Sequence, residues 1–215
     1  MYDSFQTFPT GWSNQAEFNI TDRGPPSLIP SVNAWGHDNK NTGNRSRRTD
    51  IPNAQQNETF VIDLYLESVD STSELVYFRS EPDAVWYSGF KYYYDTDQIG
   101  QVANIGDDFI AAKSIDMGSG IMRILVEFNT KEIAAVGATC RVYWYVTGAN
   151  AATLTTIVHH TQMHRGLTLA EAEAVPPIIT TGAAKTTSLI PTSVAENWGN
   201  LQGAFYEQLK YPSGS

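Results

Sequence analysis

The chain has 215 residues, a formal net charge of −9 at pH 7 and a sequence pI near 4.8. Its length is enough for one full-sized domain with a sizeable core. The acidic balance argues against a surface that wraps nucleic acid, because neutralising phosphates requires clustered Lys and Arg. Aromatic residues reach 12% and charged residues 17%, so much of the surface is neutral, which favours a subunit of an assembly over a free monomer.

The sequence also indicates a compartment. Cys140 is the single cysteine, which excludes an intramolecular disulfide and suits a reducing environment. It lies in an apolar stretch, which predicts a buried thiol and not a nucleophile. No apolar run is long enough to span a bilayer, and residues 1–5 lack the basic and apolar regions of a signal peptide. We therefore expect a soluble protein of intracellular origin that has no membrane partner.

Residues 1–58 are rich in Asn, Ser, Thr, Pro and Gly and carry scattered aromatic residues without a periodic pattern. Disordered segments normally lack such aromatic anchors. We predict an extended N-terminal arm that lies on a partner or on its own domain, with one early strand around residues 27–34. The arm contains the basic cluster Lys40, Arg45, Arg47 and Arg48. Two interpretations of this cluster stay open: a solvated loop, or a local contact with RNA or an acidic neighbour.

Alternation of apolar and polar residues begins at Phe60, where Ile62, Leu64 and Leu66 would share one face of a strand. Similar short runs, rich in β-branched and aromatic residues and separated by turn residues, predict about eight strands in all. They cover residues 60–67, 75–79, 85–94, 101–104, 109–113, 121–129, 139–147 and 153–160. Strands at this spacing predict an all-β fold, an eight-stranded antiparallel β-sandwich.

One short helix is predicted after the strands. Thr168 and Glu171 form a capping box ahead of a helix that Pro176-Pro177 ends. Residues beyond it return to Thr, Gly and Pro with isolated aromatic residues. The predicted organisation is thus an N-terminal arm at 1–58, a β-sandwich at 59–176 and an extended C-terminal tail at 177–215.

A Gly106-Asp107-Asp108 run precedes Phe109 about halfway along the chain. Gly and Asp are depleted in strands, so this run predicts a turn or a strand edge. Two carboxylates held close together cannot both ionise easily, so they could share a proton and serve as an acid/base pair. The alternative is a solvated Asp-Asp turn that caps a strand starting at Phe109.

Other candidate chemistry is weaker. His160 and His164 have the i,i+4 spacing of a helical metal site, but His159 and His160 end a strand, point in alternate directions and lack the Glu of a His-Glu-x-x-His motif. Interfacial histidines that tune assembly with pH are the preferred interpretation. Asp95 and Asp97 could gather a calcium ion with the Asp-Asp run, although solvated acidic turns are favoured. No glycine-rich phosphate loop, nucleophile elbow or Cys-x-x-Cys is present, and no cofactor or metal is predicted.

An acidic, nearly cysteine-free all-β domain flanked by aromatic-bearing arms resembles the jelly-roll coat subunits of picorna-like positive-strand RNA viruses. Asp107-Asp108-Phe109 is similar to the Asp-Asp-Phe motif of the large coat subunit of dicistroviruses. The resemblance implies a jelly roll whose motif assists maturation cleavage of a neighbouring coat precursor. By this analogy one of Asp107 and Asp108 would be the base that activates water or a local hydroxyl, the other would hold the shared proton, and Phe109 would anchor the turn.

The resemblance therefore predicts a structural subunit of an icosahedral capsid, made in the host cytoplasm and located in the virion. It would not be an enzyme beyond a single-turnover cleavage. Its partners would be other capsid subunits in a large shell and, at the inner surface, viral RNA. Arg45, Arg47 and Arg48 would make the contact with nucleic acid or a neighbouring subunit.

The Tyr and Trp residues along the predicted strands support a second interpretation, a carbohydrate-binding, lectin-like β-sandwich. A phage tail or baseplate component is a third. A lectin would be a small stable oligomer with a solvent-filled aromatic groove, whereas a coat subunit would bury its arms in a large shell. Loss of both arms should leave a lectin's binding intact and abolish a capsid's assembly.

Overall fold

The computed structural model describes residues 2–3, 18–23, 34–39, 47–80, 86–101, 109–130, 138–145 and 154–177. These residues form one helix, α1, at Leu169–Ala174, and strands in the following order. The strands are β1 Tyr2–Asp3, β2 Phe18–Asp22, β3 Trp35–Asn39, β4 Arg47–Ala54, β5 Thr59–Ser68, β6 Ser73–Ser80, β7 Trp86–Tyr93, β8 Gln98–Gln101, β9 Phe109–Asp116, β10 Ile121–Asn129, β11 Ala138–Tyr145 and β12 Thr155–Arg165.

The strands make two antiparallel sheets that pack face to face as a β-sandwich. The seven-stranded sheet has the order β2-β3-β12-β5-β10-β9, with β1 beside β12. The five-stranded sheet has the order β4-β11-β6-β7-β8. The predicted all-β antiparallel sandwich is therefore confirmed, with more strands among the described residues than the eight expected from sequence.

The core lies between the sheets and follows the predicted alternation. Every second residue of β5 and β10 points into it, including Ile62, Leu64 and Ile124. Phe60 stacks on Phe128 with ring centroids 5.7 Å apart. The remaining core side chains include Leu66, Val76, Phe78, Phe90, Tyr92, Val126, Cys140, Val142, Trp144 and Val158. Cys140 is free and buried, as its apolar setting predicted.

One carboxylate, that of Glu74, is fully buried in the core. It accepts hydrogen bonds from Trp144 Nε1 at 2.8 Å, from Thr156 Oγ1 at 2.6 Å and from Tyr94 Oη at 3.1 Å. A buried carboxylate is tolerated when donors satisfy its oxygens. Because its donors come from β11 and β12 and from just after β7, Glu74 ties the two sheets together.

Several strand boundaries differ from the sequence prediction. Strands β2, β3 and β4 lie inside the range expected to be an extended arm. Of the early strand predicted at 27–34, residues 27–33 lie outside the described residues, and the nearest strand begins at Trp35. The sequence of these strands has no clear alternation of apolar and polar residues, so the pattern did not predict them. They are strands because they pair with later parts of the chain, β3 with β12 and β4 with β11. The domain boundary at 58/59 stays a prediction, and residues 178–215 of the tail lie outside the described part.

Two later strands also differ. The weak strand expected at 101–104 is β8 and lies earlier, at Gln98–Gln101. Strand β12 continues to Arg165, so the prediction that His159 and His160 end a strand is wrong. A bulge between Val158 and His160 shifts the register against β5. The extra residue breaks the period of two, which hid the second half of the strand from pattern analysis.

The predicted helix is confirmed with both halves of its capping box. The Thr168 side chain accepts from the Glu171 amide, and the Glu171 side chain accepts from the Thr168 amide. The helix ends at Ala174, just before the Pro-Pro pair. Within the described residues, no helix has the length and apolar character needed to cross a membrane.

Candidate functional site

The structure describes only part of the predicted site. Asp107, Asp108 and Arg45 lie outside the described residues. Phe109 is the first residue of β9, opposite Phe128, so the strand begins where the Asp-Asp turn was expected to end. The role of the carboxylate pair in cleavage stays a prediction, as does a contact through Arg45.

The histidines of β12 lie on the outer face of the seven-stranded sheet. His164 Nε2 is 3.3 Å from Asp63 Oδ2, and Asp63 also accepts from Gln162 Nε2 at 2.6 Å. Arg123 donates to the same carboxylate through Nε at 3.0 Å and Nη2 at 2.8 Å. Burial acts to raise the pKa of Asp63, but the hydrogen bonds from His164, Arg123 and Gln162 bring it below its ordinary value. We call Asp63, Arg123, Gln162 and His164 the Asp63 network.

The Asp63 network holds helix α1 against the sheet. Arg123 donates to the carbonyl oxygens of Ala172, Glu173 and Val175 at the end of the helix. At the other end, the Glu127 carboxylate accepts from the Leu169 amide at 2.7 Å. A cation at the last turn and an anion at the first both suit the helix dipole. Since Asp63 is fully buried, this network is a structural clamp and not an open reaction centre.

The structure gives the histidines a different setting from the one expected. Among the described residues, no three His, Cys, Asp or Glu side chains gather in a metal-binding arrangement. His159 Nε2 lies 2.9 Å from Glu67 Oε2, and His160 packs edge-on against the Tyr65 ring. Burial lowers the pKa of His160 to about 4, because the imidazolium form loses its hydration there.

A cavity of about 380 Å³ opens at one end of the sandwich, beside the β7–β8 and β9–β10 turns. Asp97 lies here and accepts from Tyr92 Oη at 3.1 Å, while Asp116 accepts from the Gly118 amide at 2.7 Å. The structure thus brings Asp97 to a cavity shared with Asp116, not with the Asp-Asp run, which lies outside the described residues. The lining consists of Ser68, Tyr92, Tyr94, Asp97, Asp116, Gly120 and Met122.

The outer face of the five-stranded sheet carries a second group of polar and aromatic side chains. Because Cys140, Val142 and Trp144 point into the core, the residues that alternate with them point outward. The same alternation applies to β4 and β6, which flank β11, and to β7, which pairs with β6. We call this surface the basic tyrosine face; its described side chains are Arg48, Asp50, Tyr77, Arg79, Lys91, Tyr93, Arg141 and Tyr145, with Leu75 and Tyr143 buried among them.

Tyr77 lies directly over the backbone of β7 in the centre of the basic tyrosine face. It is opposite Gly89 in the register, and a Cβ at Gly89 would be 2.6 Å from Tyr77 Cδ1. Glycine therefore allows the ring to lie against the sheet. Tyr145 meets this ring edge-on, with centroids 5.5 Å apart and planes at 89°. Both tyrosines are half-buried, and burial raises the pKa of Tyr77, so its hydroxyl is neutral at physiological pH.

Cations surround these rings. The guanidinium carbons of Arg48 and Arg79 are 5.1 and 6.0 Å from the centroid of Tyr143. Arg79 Nη1 also donates to Tyr143 Oη at 3.2 Å. Lys91 Nζ lies 4.5 Å from the centroid of the Tyr93 ring, which is 39% exposed. These distances are typical of cation–π contacts, which hold the cations and the rings in fixed positions.

The basic tyrosine face connects one predicted site residue with several that sequence analysis did not select. Arg48 was assigned to a contact surface, and the structure places it in β4 opposite Tyr143 of β11. Arg79 of β6 and Arg141 of β11 were not selected. The missed signal was their register: Arg141 lies directly opposite Arg79, and sequence alone does not reveal which strands are neighbours.

The chain was compared with known proteins. No protein-family model matches it, and no curated protein sequence does. Among solved structures, it is similar to the CBM22-1–GH10 modules of a Clostridium thermocellum endo-1,4-β-D-xylanase, with 11% identity and a TM-score of 0.43 over 77% of this chain and 28% of that one. It is also similar to the enzymatically active domain of bacteriophage CBA120 tailspike protein 4, with 9% identity and a TM-score of 0.43 over 73% of this chain and 19% of that one.

A third similar structure is TmCBM27, described as a carbohydrate-binding module that recognises mannan. Its identity is 15% and its TM-score 0.41, over 74% of this chain and 90% of that one. The chain thus spans less than a third of the xylanase and tailspike structures, and these distant likenesses carry no functional conclusion. The β-sandwich itself is evident from the strand pairing described above.

Proposed function

We propose that this chain is a carbohydrate-binding β-sandwich that holds a glycan on the basic tyrosine face. The observation that carries the proposal is the arrangement of Tyr77 and Tyr145. The Tyr77 ring lies against the backbone at Gly89, and the Tyr145 ring packs edge-on against the Tyr77 ring. A fixed aromatic surface of this kind suits the apolar C–H faces of sugar rings, and little side-chain entropy is lost on binding.

Polar groups beside the tyrosines complete the requirements of a sugar site. Guanidinium and ammonium groups from Arg48, Arg79 and Lys91 are held within 6.0 Å of tyrosine rings. They can donate hydrogen bonds to hydroxyl groups of a sugar stacked nearby. Binding sites for small ligands combine an apolar surface with a few well-placed donors in this way.

Capsid assembly, expected from the Asp-Asp-Phe resemblance, stays a prediction. Asp107 and Asp108, on which it depends, lie outside the described residues. A phage tail or baseplate component that contacts glycans would be compatible with the same face. Negative-stain electron microscopy of the purified chain distinguishes a coat subunit from a sugar-binding module, because a coat subunit would form closed shells and a sugar-binding module would not.

The test of the proposal is a binding screen of the full chain against neutral and acidic polysaccharides by affinity electrophoresis, with isothermal titration for any that retard it. We expect at least one polysaccharide to bind and Tyr77→Ala to weaken it at least tenfold, since truncating an aromatic anchor at the centre of a binding surface costs about 2 kcal/mol or more. Met117→Ala, an exposed apolar residue of the β9–β10 turn, is the matched control and should bind like the parent chain. The proposal is contradicted if no polysaccharide binds the chain, or if Tyr77→Ala binds as tightly as the parent chain.

A further inference from the structure

We infer that the glycan held by the basic tyrosine face is an acidic polysaccharide whose hexuronate carboxylates are bound by Arg48 and Arg79. This inference rests on the proposed carbohydrate-binding function and specifies its ligand class. Three features of the face support it: its charge, the positions of its arginines, and the spacing of its charges relative to its rings.

The first feature is a charge opposite to that of the whole chain. The sequence has 23 Asp and Glu against 14 Lys and Arg. The described side chains of the basic tyrosine face reverse this balance, with the cations Arg48, Arg79, Lys91 and Arg141 against the single carboxylate of Asp50. A local positive surface on an acidic protein attracts anions and directs them to one place.

The second feature is the close approach of like charges. Arg141 and Arg79 are direct cross-strand neighbours, and Arg48 and Arg79 both lie over the ring of Tyr143. Like charges directly opposite each other destabilise a sheet. For Arg141 this repulsion is offset by its pair with Asp50. A carboxylate beside the Tyr143 ring would be attracted by both Arg48 and Arg79.

The face already contains an example of the contact that we propose. Arg141 donates to Asp50 through two nitrogens, Nε to Oδ1 at 2.5 Å and Nη2 to Oδ2 at 3.2 Å. This two-point geometry matches a planar carboxylate. Hexuronates carry such a carboxylate on a sugar ring, so one sugar can stack on a tyrosine while its carboxylate meets a guanidinium.

The third feature favours a polysaccharide over a nucleic acid. Every nucleotide carries a phosphate, and binding a strand requires a continuous track of cations. The described face instead mixes its four cations with four tyrosines, of which Tyr143 is buried, and with the Asp50 carboxylate. This pattern suits a polymer that presents neutral ring faces along with separated carboxylates.

The experiment uses the full chain and measures its affinity by titration for polygalacturonate, alginate and hyaluronan oligosaccharides. Fully methyl-esterified oligogalacturonate is the neutral control, since it keeps the rings and loses the charges. We expect an acidic oligosaccharide to bind at least tenfold more tightly than its neutral counterpart, with weaker binding as salt is raised. A single-stranded oligonucleotide and a sulfated oligosaccharide are measured in parallel.

Variants identify the residues responsible. Arg79→Gln and Arg48→Gln should each lower the affinity for the acidic oligosaccharide about tenfold, with unchanged affinity for the ester, because one charge-assisted bond is lost. Lys91→Gln tests the same charge effect at a cation that lies over Tyr93 and should cause a smaller loss. Lys113→Gln, a half-exposed cation on the other sheet, is the matched control and should have no effect.

The outcomes separate this inference from the proposed function. If the acidic and the methyl-esterified oligosaccharides bind with equal affinity, and Tyr77→Ala loses both, the glycan site stands and the inference of an acidic ligand is wrong. Tighter binding of the oligonucleotide or of the sulfated oligosaccharide would overturn the choice of hexuronate. If no saccharide binds at all, the proposed function itself fails. Unchanged affinity in both arginine variants and in Lys91→Gln would place the acidic ligand elsewhere.

Discussion

Replacing Asp63 by Asn should destabilise the sandwich more than any comparable change on its surface. Asp63 is fully buried and accepts from Arg123 twice, from Gln162 and from His164. Asn keeps the volume of the side chain but has one oxygen, and its NH₂ group would face N–H donors. The Arg123 guanidinium would then stay buried without a neighbouring carboxylate to balance its charge.

The expected cost follows from that burial. Breaking a buried ion pair by removing one partner costs about 3–5 kcal/mol, because the other charge is left uncompensated. A domain of this size is stable by about 5–15 kcal/mol, so Asp63→Asn should remove about a fifth or more of the free energy of unfolding. Urea unfolding followed by tryptophan fluorescence measures this difference.

The chain supplies a matched control for this change. Asp50 and Arg141 form a pair with the same two-point geometry on the other sheet, but the Asp50 side chain is 49% exposed. Asp50→Asn should therefore cost no more than about 1 kcal/mol. The reasoning is refuted if Asp63→Asn also stays within that range, since burial would then not decide the strength of the pair.

A double variant separates the ion pair from the helix clamp. Replacing a buried ion pair with apolar residues is often neutral, so Asp63→Leu with Arg123→Leu should recover much of the loss caused by Asp63→Asn. Arg123 also donates to the last carbonyls of α1, and those bonds are absent from the double variant. The deficit that remains reports these helix bonds together with the lost bonds from Gln162 and His164 to Asp63.

Two further predictions concern the outer faces of the sheets. Since the pKa of His160 is about 4 in the fold and about 6.5 in the unfolded chain, only the unfolded chain gains this proton as pH falls from 6.5 to 4. The free energy of unfolding should drop by up to about 3 kcal/mol over that window. The urea midpoint of His160→Gln should change less with pH than that of the parent chain, and an equal pH dependence of the two midpoints would contradict this. Gly89→Ala should push Tyr77 off β7, because the methyl carbon would be 2.6 Å from Cδ1. Glycan affinity should fall about tenfold with an unchanged circular dichroism spectrum, whereas unchanged affinity would show that the ring position is not needed.

Local patterns were sufficient where each residue's environment depends on its immediate neighbours in sequence. Strand β10 was predicted at 121–129 and lies at Ile121–Asn129, because its alternation is unbroken and both its faces are well defined. The capping box of α1 was equally readable, since Thr168 and Glu171 satisfy each other's backbone groups. Patterns failed at β12, where the bulge before His160 interrupts the period.

The sequence by itself determined the class of fold, the core-facing residues of the predicted strands and the helix α1. Only the tertiary structure decided which outward-facing side chains meet. Arg48, Arg79 and Tyr143 come from three strands that are distant in sequence and adjacent in the sheet, as do Asp63, Arg123 and His164. The period of two is a local property that assigns a side chain to a face. Strand order and register depend on long-range pairing, which no local pattern contains.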